Sequence, residues 1–295
     1  MFSSKSRGNL SNIIFFVGPA LLILIGFGVI PIFYNFIMSL FETDLISPSV
    51  FVGLKNYELL FRDPVFQQSV KNNILLVLGS LIAHLLLALY LANILFNKFK
   101  GNSFFQSIFF LPSVVTGVAV GLTWTFIFSS RFGLVNSILE TVNLEQFQRS
   151  WLADKDTAML GIIIAVMWQY VGYHVVIQLA AMRNIPGELY EAAAIDGASK
   201  WRQFTDITLP LIKPVLKVDA ILIVTGSLKF FDLVYVMTNG GPNHATEVLS
   251  TYMFYQGFRT LKYGYASAIA NILLLLCVLA MVLINVFFRS NDNEA

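Results

Sequence analysis

Gln169-Tyr170, Tyr173-His174 and Gln178 interrupt one otherwise apolar stretch of the chain. If that stretch is helical, residue 169 shares a face with 173, and 170 with 173 or 174. Tyrosine and histidine rings stack on the C–H faces of a sugar and also hydrogen-bond hydroxyls, so the mixture suits carbohydrate. The same residue types also tie neighbouring helices together, and for His174 and Gln178 that structural role is the expected one. Further on, Ile223, Gly226 or Ser227, and Phe230 form an i, i+3/4, i+7 stripe. Within it, Thr225-Gly226-Ser227 is a weak point where backbone can open onto a cavity. Lys229 and Asp232 are spaced i, i+3 and can pair, either as a structural ion pair near the outer interface or within a pathway.

These groups bind; they do not make bonds. The chain has no Gly-x-x-x-x-Gly-Lys-Ser/Thr loop and no Gly-Lys dipeptide, so it has no P-loop to cradle a nucleotide. His84, His174 and His244 fall on separate segments without metal-ligand spacing, and no Gly-x-Ser-x-Gly elbow is present. The expectation is a chain that is not an enzyme, with no catalytic residue, metal or bound cofactor of its own. Cys277 stands alone inside an apolar run and reads as a small buried hydrophobe.

The elements that carry these residues are apolar and long. Of the 295 residues, 57% are hydrophobic and 12% charged, with a mean hydropathy of +0.72, whereas soluble domains are about a quarter charged. A net charge of +2 carries no nucleic-acid signature. Apolar runs at about 13–41, 72–96, 104–128, 158–182, 215–237 and 263–288 are each long enough to cross a bilayer. The first is too long for a signal h-region and has no obvious small-residue cleavage site, so it is expected to be retained. Pro19 and Pro31 should bend it, Pro112 should kink the third run, and Gly117, Ala119 and Gly121 should allow close helix contact there. Six spans put residues 1–12 and 289–295 on one side. Lys5, Arg7, Lys98, Lys100, Arg183 and Lys200 are among the basic residues of that side, which therefore reads as cytoplasmic.

Between the fourth and fifth runs, residues 183–214 form a polar segment. Pro186 suits a first helical position, Glu188 and Glu191 favour the helix N-terminal half, and Ala192, Ala193 and Ala194 have high helix propensity. Gly197 supplies a left-handed stop. Ser199 can cap a second short helix, through Phe204, that should end before Pro210. The expectation is helix, glycine hinge, helix, with a small-residue face open to another surface.

The order Glu191-Ala192-Ala193, Asp196-Gly197, Ile207, Leu209-Pro210 resembles the EAA loop of the membrane-spanning subunits of ATP-driven, binding-protein-dependent importers. Phe231-Asp232-Leu233-Val234-Tyr235 and Thr238-Asn239-Gly240-Gly241-Pro242 look like the fifth-span signature of that family's sugar-type permeases. Phe110-Leu111-Pro112, Gly133-Leu134-Val135-Asn136 and Trp168-Gln169 are similarly placed, so the likeness runs from about 13 to 288. It implies an all-α integral membrane protein of six transmembrane helices, with a cytoplasmic coupling helix between helices 4 and 5 that fits a cleft on an ATPase. The implied partners are a second similar permease, two ATPase subunits carrying ATP and Mg, an extracytoplasmic solute-binding protein, a carbohydrate and the lipid bilayer. The implied location is a bacterial cell membrane. By distance from the family's anchors, the sugar region falls on Gln169, Tyr170, Tyr173, Ser227 and Phe230. Two alternatives stand beside this one. The first is a permease of the same architecture for another solute, such as glycerol phosphate or an amino acid. The second is an ATP-independent secondary transporter, which would not need the EAA loop.

Overall fold

The computed structural model describes residues 15–97 and 100–289. The expected cytoplasmic segment 1–12 and all of the expected tail except Arg289 lie outside those residues. The chain divides into two compact units, residues 1–62 with 253–272 and residues 63–252 with 273–295.

In the smaller unit, α1 (Phe15–Met38) is followed by the antiparallel pair β1 (Phe41–Glu42) and β2 (Val50–Phe51), and then by α2 (Lys55–Arg62). Pro31 lies in the first turn after a π-helical segment, Leu24–Val29, whose wider turns accommodate the missing proline donor. Amide side chains hold this unit together. Asn35 Nδ2 donates to Asn271 Oδ1 at 2.8 Å, Asn271 Nδ2 to the Tyr57 hydroxyl at 2.9 Å, and Asn56 Nδ2 to the Ser39 carbonyl at 2.8 Å.

The larger unit opens with α3 (Pro64–Phe96), which starts well before the expected 72. Asp63 accepts from the Val65 amide at 2.8 Å and Pro64 takes the first helical position, a start signal that hydropathy alone does not register. A π-helical segment, Leu81–Leu87, brings His84 inward. Next come α4 (Asn102–Val114), α5 (Gly117–Ile127) and α6 (Leu134–Thr141). The expected third span, 104–128, is not one kinked helix: α4 and α5 meet at 99° around Val115 and Thr116. Thr116 caps α5 by accepting from the Ala119 amide, so the chain restarts just beyond Pro112.

Helix α7 (Ala158–Arg183) lies at the centre of this unit and buries thirteen residues. Its upper half packs Ile162, Ala165 and Val166 with Leu76, Val120, Leu233 and Val234; its lower half packs Val175, Leu179 and Met182 with Ala88, Leu95 and Ile212. Gly172 lets α4 pass so closely that a Cβ there would stand 1.7 Å from the Phe109 carbonyl oxygen. The chain continues through α8 (Gly187–Ile195), α9 (Lys200–Gln203), a π-helical turn (Phe204–Thr208), α10 (Leu209–Leu228) and α11 (Asp232–Met237), then closes with α12 (Leu249–Phe254) and α13 (Tyr263–Arg289). Gly117 and Gly121 of α5 face Asp232 and Val236 of α11, the close contact expected of small residues.

The fifth span also differs from expectation. Helical structure runs into Pro210 and Pro214 instead of stopping before them, because the π-turn and the first turn of α10 absorb Pro210. The expected 215–237 is interrupted at Lys229–Phe231. Among the described residues, four helices are long and apolar enough to cross a membrane, and the bent α4–α5 pair makes up to five. Helix α10 carries Lys213, Lys217 and Asp219 and is not among them. Apolar side chains are exposed along α1 and α13, the surface that a bilayer would cover.

Candidate functional site

Helix α8 begins after Pro186, which stands one position earlier than expected, and places Glu188 in its first turn. It ends in a Schellman closure. The Ala198 amide donates to the Ala193 carbonyl at 2.8 Å, the Gly197 amide donates to the Ala194 carbonyl at 3.1 Å, and Gly197 has a φ of +79°. Ser199 then accepts from the Arg202 amide and starts α9. The Tyr190 hydroxyl lies 2.8 Å from Thr208 Oγ1, just before α10, and within the knuckle Gln203 Nε2 donates to the Ala198 carbonyl at 3.2 Å. Glu191, Ala192, Asp196 and Gly197 are exposed, Ala193, Ile207 and Leu209 are half-buried, and Pro210 is exposed. Leu209 and Pro210 line an open groove with Lys213, Leu216, Phe287 and Phe288. Sequence reasoning passed over Ile195 and Trp201, whose large apolar side chains are 87% and 70% exposed on the knuckle. Their signal was present: both flank the glycine hinge on a segment otherwise made of charged and small residues.

Within the helices, the expected glue is the observed role of His174 and Gln178, and its anchor is a residue that sequence reasoning missed. Asp219 of α10 is fully buried. Its Oδ1 lies 2.7 Å from His174 Nδ1, and its Oδ2 accepts from Gln178 Nε2 at 2.7 Å. A carboxylate oxygen accepts, which puts the His174 ring hydrogen on Nδ1. Gln178 Nε2 also donates to the His84 carbonyl at 3.0 Å, so α3, α7 and α10 meet at one carboxylate. The His84 ring stacks on His174 with centroids 4.9 Å apart. Asp219 was findable as the single acid in the apolar run around Val218 and Ala220, where an ionisable side chain marks a buried partner or a pathway.

Of the five residues expected to line a path, three are rings, which are linked to one another through His84 and His174. Tyr170 meets Phe230 edge-on at 6.2 Å and His84 at 6.4 Å, and Tyr173 meets His174 at 5.1 Å. Tyr173 is exposed, and Tyr170 and Phe230 are half-buried. Gln169 and Ser227 are both buried. Gln169 Nε2 donates at 3.2 Å to the Val115 carbonyl, which the α4–α5 bend leaves without a helical partner. Beneath Ser227, Asn73 Nδ2 donates to the Ser227 and Leu228 carbonyls at 3.2 and 3.0 Å while its Oδ1 accepts from the Leu249 amide at 2.9 Å. Asn73 thus satisfies the carbonyls that the break after α10 would orphan. Lys229 and Asp232 lie on either side of that break, both exposed, and make no ion pair with each other among the described residues.

A family model described as the binding-protein-dependent transport system inner membrane component matches residues 84–292, which contain the knuckle, the buried carboxylate and the three rings. The chain belongs to that family. It is 40% identical over 282 residues, 95% of this chain and 96% of the other, to the probable ABC transporter permease protein YurN of Bacillus subtilis. It is 34% identical to the lactose transport system permease protein LacF of Rhizobium radiobacter, covering 88% of each chain. Its fold matches a chain of the bacterial alginate ABC transporter solved in complex with an alginate pentasaccharide-bound periplasmic protein. The TM-score is 0.85 at 22% identity, over 98% of both chains. Family and apolar helices together make this a multi-pass inner-membrane protein.

Proposed function

We propose that this chain is the permease subunit of an ATP-driven importer and supplies half of the translocation pathway for a sugar or oligosaccharide. The observation that carries the proposal is the likeness, along nearly the whole chain, to permease subunits, one of which is named for lactose. In this reading the bent α4–α5 pair and the interrupted α10–α11 pair are the third and fifth of six spans. Both termini and the knuckle face the cytoplasm. A second permease completes the pore, two ATPases hold ATP and Mg, and a solute-binding protein delivers the sugar.

The knuckle residues Glu191, Ala192, Ala193, Asp196 and Gly197, with Ile207, Leu209 and Pro210 at its base, couple the ATPases to the spans. Two features support this role. Ile195 and Trp201 offer apolar surface on a protruding turn, as a docking element requires. The Tyr190–Thr208 hydrogen bond joins that turn to the residue that precedes α10, so a push on α8 reaches the helix that ends beside Phe230. Tyr170, Tyr173 and Phe230 face the sugar, while Gln169 and Ser227 support the bend and the break next to them. Lys229 and Asp232 act separately at the break.

Uptake by the complete complex in proteoliposomes, measured with labelled sugars, glycerol phosphate and an amino acid, tests the proposal. Saturable, ATP-dependent uptake of a sugar is the expected result. Uptake of only the charged solutes, or uptake without the ATPases, would overturn it.

A further inference from the structure

Resting on the reading of Tyr170, Tyr173 and Phe230 as rings that face the sugar, we propose that Asp219 is a positioning residue of the transport path. From inside the bundle, it holds the two tyrosines in place through His174 and His84. The contacts form a continuous chain. Asp219 Oδ1 orients the His174 ring at 2.7 Å, and His174 meets Tyr173 edge-on. On its other side His174 stacks on His84, within 15° of parallel; His84 meets Tyr170, and Tyr170 meets Phe230. Every ring assigned to the path is therefore one or more ring contacts from a single carboxylate that itself has no exposure.

His84 Nε2 is buried without a hydrogen-bond partner, and so is Gln178 Oε1. The His84 ring lies against the backbone of Val166 and Met167 and stacks on His174, and His174 in turn bonds Asp219. Both bonds to the Asp219 side chain are 2.7 Å long, and a leucine there would leave His174 and Gln178 without that partner. An asparagine at 219 keeps the size, but its one oxygen serves either His174 or Gln178 and its amide group meets the other donor.

The test is a mutant cycle on sugar uptake by the complete importer in proteoliposomes, with assembly checked by co-purification of all subunits. Tyr170→Ala/Tyr173→Ala and Asp219→Asn should each lower uptake about tenfold, and the triple variant should be no lower than the tyrosine pair, since residues acting as one unit are not additive. Losses that multiply to about a hundredfold would mean that Asp219 acts elsewhere, and would overturn the inference alone. So would parental uptake by Asp219→Asn. Parental uptake by the tyrosine pair would overturn the path assignment, and this inference with it. Should Asp219→Asn fail to assemble, His174→Gln breaks the same link and is judged by the same cycle. Failure of both to assemble makes the network a scaffold and overturns the proposal.

Discussion

A fully buried acid, Asp219, joins three helices, yet its neighbours in the chain give no hint of which partners it meets. An intramembrane carboxylate is legible in a sequence as an anomaly; its bond to His174 is not, because 45 residues of chain separate them. The tyrosines were easier to read. Their i, i+3 spacing already put them on one side of α7, and the structure adds Phe230 from the end of α10. Gln169, four residues before Tyr173, was expected on that side too but has its amide engaged at the α4–α5 corner, a use that only tertiary contact discloses. At this scale, Tyr173→Ala and Phe230→Ala are expected to lower sugar uptake several-fold or more while the complex still assembles, because each removes a ring from the path. Ser227→Ala should do less, since the bond from Asn73 goes to the Ser227 backbone carbonyl, which the substitution leaves in place. Uptake assays on purified complexes decide it: parental rates in both ring variants would place the path elsewhere.

Hydropathy marks the helices well where one apolar helix runs unbroken, as in α7, whose observed Ala158–Arg183 is one residue longer than the expected 158–182. It fails at Val115–Thr116 and Lys229–Phe231, where the residues on both sides are about equally apolar and side chains from other helices hold the break open. Asn73 is the clearest of these, with three bonds to backbone from α3, joined by the Ser250 hydroxyl on the Phe230 carbonyl. Asn73→Leu keeps the volume and leaves those buried groups unpaired, at about 1–3 kcal/mol each. The variant is expected to unfold at a clearly lower temperature than the parent in detergent, followed by tryptophan fluorescence. An unchanged transition would show that the break stabilises itself. The knuckle was the most legible element, because helix propensity, a left-handed glycine and a serine cap are local devices. Only the continuation through Pro210 was not, since a π-turn is a compromise between the two prolines and the packing of α10.

Across the whole molecule, the knuckle and the turn at Asn239–Asn243 should face opposite sides of the membrane. A cysteine at Lys200, exposed and outside the Ser199 cap, should resist a membrane-impermeant thiol reagent added to intact cells. A cysteine at the exposed Asn243 should label. Labelling in the reverse sense contradicts the orientation. The central claim is that ATP hydrolysis drives transport through the knuckle, and two substitutions address it without touching the three rings. Gly197→Val forces a branched side chain into a φ of +79°, at about 1–2 kcal/mol or more for a residue with a Cβ. Glu191→Lys reverses the charge on the exposed face of α8. The deciding measurement is ATP hydrolysis by the reconstituted complex, with and without sugar-loaded binding protein. Both variants should insert and assemble, and both should lose the sugar-dependent stimulation together with uptake, while the binding protein's affinity for sugar stays the same. Stimulation equal to the parent in both would contradict the account, leaving the knuckle a surface helix with no part in coupling.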